Sequence, residues 1–377
     1  MTSHRWHQFV LGVMVVFSCI CATTLASAGN LFTGPVNSPA GKYPWALASG
    51  DFNLDGKADL AVTNQPSNHK HNQVKVLLGE GNGVFQKPTG YRVGVSPFSV
   101  VVGDFNRDGK PDLVVANALK VGVLSGNGDG TFQKQVTYKT GPTLEVAVAD
   151  FNEDGTLDLA VVGGGKSKTV ALLLGNGDGT FQPQIKVPAI SATHIVAGDL
   201  NGDGRPDLVI SGQNNKRAII SLLGNGDGTF RTAWTIIKSP PPFGIALGDF
   251  NGDGKLDLAE TFSGPNKLRI WFGNGDGTFA EGQDYGLATI PGQIAIADLD
   301  GDGKLDIAVA DYFGHNVNVF LGRGDGKFIL EGTYTLKPVA EAVEIIAADV
   351  NNDNKPDLVI TDRDNGVVSV LLNTGKR

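Results

Sequence analysis

The sequence predicts an all-β protein: a seven-bladed β-propeller of four-stranded blades, its ring closed by an N-terminal strand that completes blade seven. Three observations carry this expectation. A nine-residue acidic loop recurs seven times, beginning at Asp51, Asp104, Asp150, Asp199, Asp249, Asp298 and Asp349. Short apolar runs alternate in the strand period on either side of each copy. Finally, 52 of the 377 residues are Gly, about 14% and roughly twice the usual share, and beside so much Val, Thr, Asn and Asp helix is hard to build. Four-stranded units of about fifty residues are the signature of propeller blades, so the repeat overrides the two or three domains that length alone would suggest.

From the N-terminus, residues 1–28 hold Arg5, an apolar run from Phe9 to Ala22, and then Ala26-Ser27-Ala28, a small-residue cleavage pattern. They are expected to be a secretory signal peptide cut after Ala28, because the apolar run falls short of the ~20 residues a membrane span needs. The mature domain, residues 29–377, is then extracytoplasmic, with no membrane span after cleavage. Cys19, Cys21, Met1 and Met14 all fall in the leader, so the mature chain has no sulfur and no disulfide. With a formal charge of -8 and a pI near 5.2, the protein is expected to bind no nucleic acid and to be a monomer.

Within each repeat the order of elements is the same. Strand A, such as Val100 to Gly103 or Ile294 to Ala297, leads into the acidic loop, and strand B, such as Leu60 to Thr63, leaves it. Strand C, such as Val170 to Leu174, leads into a second turn, and strand D follows. That second turn reads GNGDGTF from Gly126, Gly175, Gly224 and Gly273, with weaker copies at Gly79 and Gly322. Its Asn, Gly and Asp are expected to supply the positive φ angles of a tight hairpin, with Phe132, Phe181, Phe230 and Phe279 plugging the space between blades. Small residues in strand A (Ala48, Gly103, Ala149, Gly198, Gly248, Ala297 and Ala348) suit the crowded innermost position around a channel. Repeat seven has strands A, B and C but no D, whereas residues 31–37 read as a D strand without a blade. They are expected to supply the outer strand of blade seven and remove its open edge.

The acidic loops point to chemistry. Oxygen-bearing side chains stand at positions 1, 3, 5 and 9 of each: Asp51, Asn53, Asp55 and Asp59; Asp104, Asn106, Asp108 and Asp112; Asp150, Asn152, Asp154 and Asp158; Asp199, Asn201, Asp203 and Asp207; Asp249, Asn251, Asp253 and Asp257; Asp298, Asp300, Asp302 and Asp306; Asp349, Asn351, Asp353 and Asp357. Position 6 is Gly in every copy but the last, which has Asn354. Hard oxygen ligands on alternate residues, a glycine at the sharp turn and a backbone carbonyl at position 7 make up the first part of a calcium loop. An EF-hand would continue to a Glu at position 12. Six of the seven loops have an apolar strand residue there, so Asp at position 9 is expected to take the part of that Glu. Turns alone would not require three carboxylates together seven times over, because their repulsion calls for a cation to offset it. About seven Ca²⁺ sites are therefore expected. Glu260, at position 12 of the fifth loop, reads as an outward strand residue.

These loops, DxNxDGxxDL after a hydrophobic strand and copied about fifty residues later, resemble the FG-GAP/VCBS repeat of the integrin α-subunit propeller. The resemblance extends over roughly residues 31–377. It implies a calcium-stabilised extracellular propeller of the kind used in adhesion or carbohydrate recognition. Integrins carry such loops in only some blades, and their leg and transmembrane domains have no counterpart in this text. Fold and calcium are what the resemblance carries over.

No catalytic constellation emerges: there is no GxSxG and no HExxH, and most acids belong to the loops. A non-catalytic adhesion or carbohydrate- or protein-binding module is the expectation, against an enzyme acting on extracellular polysaccharide or a purely structural matrix protein. In a four-stranded blade the A-to-B and C-to-D turns share one face, leaving the B-to-C and D-to-A connections to form the other. That face gathers Lys216 and Arg217 with Trp45, Phe98, Phe243 and Tyr312. Cations beside aromatics suggest an extracellular glycan or protein ligand of anionic character.

Overall fold

The computed structural model describes residues 30–65, 72–164, 167–212, 218–237, 242–262, 264–337 and 341–375. The expected leader, residues 1–28, and the pair Lys216 and Arg217 lie outside them. Each repeat forms a four-stranded antiparallel sheet in the order A-B-C-D, and seven such sheets make up the described fold. In blade two the strands are Pro97–Gly103, Asp112–Asn117, Lys120–Leu124 and Val136–Lys139. Every B strand opens on the position-9 Asp and is buried along its whole length. The D strand of blade two is mostly exposed, as befits the outer rim.

Strand B is buried on both faces because the blades stack face against face. Seven apolar clusters form the core, each drawn from two neighbouring blades. One joins Phe52, Val74 and Val76 of blade one to Val100, Leu113 and Leu124 of blade two. Another closes the ring, setting Val359, Val368 and Val370 of blade seven against Leu47, Leu60 and Val62 of blade one. The expected phenylalanine plugs lie in these seams: Phe132 meets Phe52 edge-on at 5.3 Å, and Phe230 meets Phe151 at 5.7 Å. Such pairs add about 0.5–1.5 kcal/mol each beyond the area they bury.

Ring closure follows the sequence reading. Phe32–Pro39 pairs antiparallel with strand C of blade seven, Val367–Asn373, and becomes its outer strand. Phe32 is 1% exposed and stands edge-on to Tyr334 at 5.3 Å, repeating the plug of the other seams. A chain of hydrogen bonds also runs round the loop face. The last Gly of each GNGDG turn donates its N–H to the residue after the first loop Asp of the preceding blade, as Gly130 does to the Phe52 carbonyl at 2.8 Å and Gly83 to that of Val350 at 3.0 Å. Blade seven lacks the turn. There the Asn373 side chain substitutes, donating from Nδ2 to the Leu299 carbonyl at 2.6 Å.

Two expectations are corrected. In the GNGDG turns the glycines alone take positive φ, with Gly128 at 75° and Gly130 at 80°. Asn127 and Asp129 instead hold Thr131: Asn127 Nδ2 donates to its Oγ1 at 2.8 Å, and its backbone N–H donates to Asp129 Oδ1 at 2.9 Å. Glycine enters the left-handed region with no Cβ to clash, which leaves the polar side chains to stitch the turn. Glu260 does not face outward. It is fully buried in Asp257–Phe262, where its carboxylate accepts the Trp271 indole N–H at 3.0 Å. A hydrogen-bond partner inside the blade is what lets a polar group leave water.

Candidate functional site

The seven acidic loops wind about their own first carboxylate. In the first, Asp51 accepts the N–H of Asp55 at 3.0 Å and that of Gly56 at 2.8 Å, while Asn53 accepts from Asp55 at 3.1 Å and Asp55 from Lys57 at 3.0 Å. This winding requires two left-handed residues. Position 6 is legible in the sequence, with Gly56 at φ 80° and Asn354 at 62°. Position 4 is not: Leu54, Arg107 and Glu153 stand at 58°, 59° and 57°, where blades four to six have Gly. A β-carbon in that conformation costs about 1–2 kcal/mol, and it persists because the loop's hydrogen bonds over-determine it. The geometry sends side chains at position 4 toward the next blade. Glu153 pairs with Arg205 at 3.3 Å, and Asn352 donates to the Gly56 carbonyl at 3.2 Å across the closure seam.

Position 9 has a second role. Asp59 is fully buried; its Oδ2 accepts the Phe52 N–H at 2.9 Å and its Oδ1 the Gly79 N–H at 2.7 Å. The same bridge recurs down to blade seven, where Asp357 takes Val350 at 3.1 Å and Asn373 at 2.7 Å. In blades one to six the ninth residue thus staples the acidic loop to the second turn, and in blade seven it holds Asn373 at the end of strand C. Burial first, and then the other loop carboxylates, push these acids up, to about 6 at Asp158, Asp207, Asp257, Asp306 and Asp357. Asp207 takes both Leu200 and Gly224 at 2.8 Å. Asp207→Asn is therefore expected to leave one buried amide without its acceptor and to cost about 1–3 kcal/mol, in chelator as well as in calcium. Melting curves that coincide with those of the parent in chelator would overturn the staple.

The donor set suits a hard divalent cation. In blade six, where Asp300 replaces the Asn of the other loops, carboxylate oxygens of Asp298, Asp300 and Asp306 lie within 4.8 Å of one another. Outside blade three, where position 7 is Thr156, the position-5 acids also meet Lys or Arg at position 7, as Asp302 meets Lys304 at 2.9 Å, but exposed pairs of this kind contribute little.

At the opposite end of strand A lies the channel mouth. It is a depression of about 290 Å³ lined by Trp45, Phe98, Glu145, His194, Phe243, Gln293, Tyr312 and Glu344, among others. Trp45 and Phe98 meet edge-on at 6.1 Å, and Phe243 lies 6.3 Å from Tyr312. Four of the expected ligand-face residues therefore do converge. Lys216 and Arg217 lie outside the described residues; beside the mouth Arg363 pairs with Glu341 at 2.8 Å and covers Trp45 at 5.2 Å. Among the described residues the lining of the mouth presents carboxylates. Glu145 accepts the Ile195 N–H at 2.9 Å and lies 3.3 Å from His194 Nδ1. Burial and then the Glu145 charge push Glu344 up to about 8. Sequence reasoning missed these acids, although a signal was present. Five residues before each loop stand Ala46, Ser99, Glu145, His194, Gly244, Gln293 and Glu344, a position that turns polar inside an otherwise apolar strand.

A closed ring of seven like blades, with a wound acidic loop at every A-to-B turn, defines an aspartate-loop repeat propeller. The family model described as FG-GAP-like repeat matches residues 51–115, 104–161, 150–210, 199–260, 261–309 and 298–360. These matches span more than half of the chain, and the protein belongs to the FG-GAP-like repeat family. No curated protein matches the sequence. Among solved structures, BBS1N in complex with ARL6DN, soaked with lead or with mercury, superposes with a TM-score of 0.66 at 14% identity over 91% of this chain and 97% of that one. A protein from Lactobacillus plantarum superposes at 0.62 with 18% identity over 81% of this chain and 87% of its own. At such identities the likeness is one of fold. Among the described residues no helix is long and apolar enough to cross a membrane.

Proposed function

We propose that this chain is a secreted, calcium-held propeller acting as a non-catalytic binding module, which seats an extracellular glycan or protein ligand in its channel mouth. The observation that carries the reading is the mouth itself: half-buried aromatic rings from several blades converge there with a few polar groups, the usual make-up of a ligand site. BBS1N is solved in complex with ARL6DN, which supports a partner-binding role for a propeller of this shape. Secretion rests on the leader pattern of residues 1–28. Calcium rests on the loop chemistry: the acids at positions 1, 5 and 9, the side-chain oxygen at position 3 and the carbonyl at position 7 would hold the ion. When bound, the ion supplies the positive charge that offsets their repulsion.

Two measurements test the reading. Asp253→Ala is expected to lower the calcium stoichiometry by one in calorimetry while leaving the other blades nearly intact, because contacts run between neighbours. Loss of several sites at once would mean that the blades are strongly coupled. On arrays of extracellular glycans and proteins the mature chain is expected to bind saturably, and Trp45→Ala combined with Phe98→Ala to abolish that binding. An absence of any saturable ligand, or turnover of a polysaccharide, would overturn the binding-module reading.

A further inference from the structure

Two acids share the channel mouth. Glu145 opens strand A of blade three, Glu145–Ala149, and Glu344 lies in strand A of blade seven, Ala342–Ala348, so they approach the axis from distant blades of the ring. Glu145 is engaged by the Ile195 N–H and by His194. Glu344 has no Lys, Arg or His within ion-pair distance among the described residues, and the charge of Glu145 acts on it unfavourably. Ionising both acids in one depression is costly, so without a cation Glu344 keeps its proton near neutral pH, and a bound cation is what would let both ionise.

The size of the missing charge follows from geometry. The cluster of acids and histidines with ligand atoms close enough for one metal ion, among the described residues, is that of Asp298, Asp300 and Asp306. The mouth groups are more widely spaced than a bare ion requires, and the space between them is walled by aromatic rings. Aromatic faces attract organic cations through their quadrupole, most strongly when the pair is desolvated. This protein already uses the interaction beside the mouth, where the Arg363 guanidinium stands 5.2 Å from the Trp45 ring and 5.9 Å from that of Tyr43.

We propose that the mouth binds the ammonium group of an organic cation, enclosed by Trp45, Phe98, Phe243 and Tyr312 and neutralised by Glu344 and Glu145. This deepens the binding-module reading and rests on it. It also replaces the anionic ligand expected from sequence with a cationic one, because the groups at the mouth itself are acidic.

The test uses the mature chain loaded with calcium and titrates it, by calorimetry, with tetramethylammonium and with its uncharged analogue tert-butanol. Tetramethylammonium is expected to bind at least about tenfold more tightly than the alcohol, and Glu344→Gln to remove that preference without lowering the melting temperature. Phe98→Ala provides a second variant, expected to weaken the cation and leave calcium binding unchanged. Equal affinity for cation and alcohol, no binding of the cation, or a preference that survives Glu344→Gln would each overturn the proposal. A glycan or protein that needs Trp45 and Phe98 but is indifferent to Glu344→Gln would overturn it too, while leaving the binding-module reading standing. Arrays silent for every ligand would instead remove that reading.

Discussion

Chelating calcium is expected to lower the melting temperature of the protein by on the order of ten degrees. With a dissociation constant near 10⁻⁴ M, at the weak end for extracellular sites, and calcium near 1 mM, each site stabilises the fold by about 1.4 kcal/mol. Over the seven acidic loops this reaches roughly 10 kcal/mol as an additive upper bound, comparable with the whole stability of a domain. An unfolding entropy of about 2.1 cal/mol/K per residue converts that into a shift of somewhat more than ten degrees for a chain of this size. The position-9 acids explain why the effect is large. They are fully buried and reluctant to ionise among their neighbours, so a bound cation relieves a repulsion that hydrogen bonds alone leave in place. Calorimetric scans with EDTA and with excess calcium decide the matter, and identical midpoints would remove calcium from the account.

Removing residues 30–39 is expected to destabilise the ring by more than about 5 kcal/mol and to make it self-associate. Leu31 and Phe32, each 1% exposed, pack into the seam between blades six and seven, and truncating a single buried Phe already costs about 3–5 kcal/mol. Deletion also strips the pairing partner from Val367–Asn373 and leaves an open strand edge, which templates association with another chain. The point variant Phe32→Ala keeps the strand and separates the two effects: it is expected to melt lower but to stay monomeric. Size-exclusion chromatography and thermal melts of both variants test this. A truncated chain that remains monomeric and melts with the parent would show that the N-terminal strand does not close the ring.

Much of the architecture is readable from the text because its causes are local. A loop that winds about its first Asp, a turn built on glycines and runs in the strand period each depend on neighbouring residues, and seven copies multiply the signal. Closure was legible for a related reason. One repeat lacked an outer strand and one segment at the other end of the chain lacked a blade, and an open edge is a liability that a ring removes. Even so, Leu54, Arg107 and Glu153 adopt a glycine-like conformation that nothing in their own chemistry announces. Hydrogen bonds made elsewhere in the loop impose it.

By itself, then, the sequence determined the number of blades, their internal order, the closing strand and the oxygen donors of the acidic loops. Tertiary structure alone decided what those residues meet. The staple from Asp59 to Gly79, the substitution of Asn373 for a missing glycine turn and the burial of Glu260 against Trp271 all depend on partners brought close by sheet pairing and blade stacking. The mouth depends on it most. Trp45, Glu145, His194 and Glu344 come from four different blades, and they line one depression because the ring turns the start of every strand A toward a common axis, Glu145, His194 and Glu344 from the fifth position before the loop and Trp45 from the sixth. The charge of Glu145 then acts on Glu344 across that axis. Acids from blades three and seven were therefore brought beside the aromatic rings, a juxtaposition the sequence, read one repeat at a time, did not show.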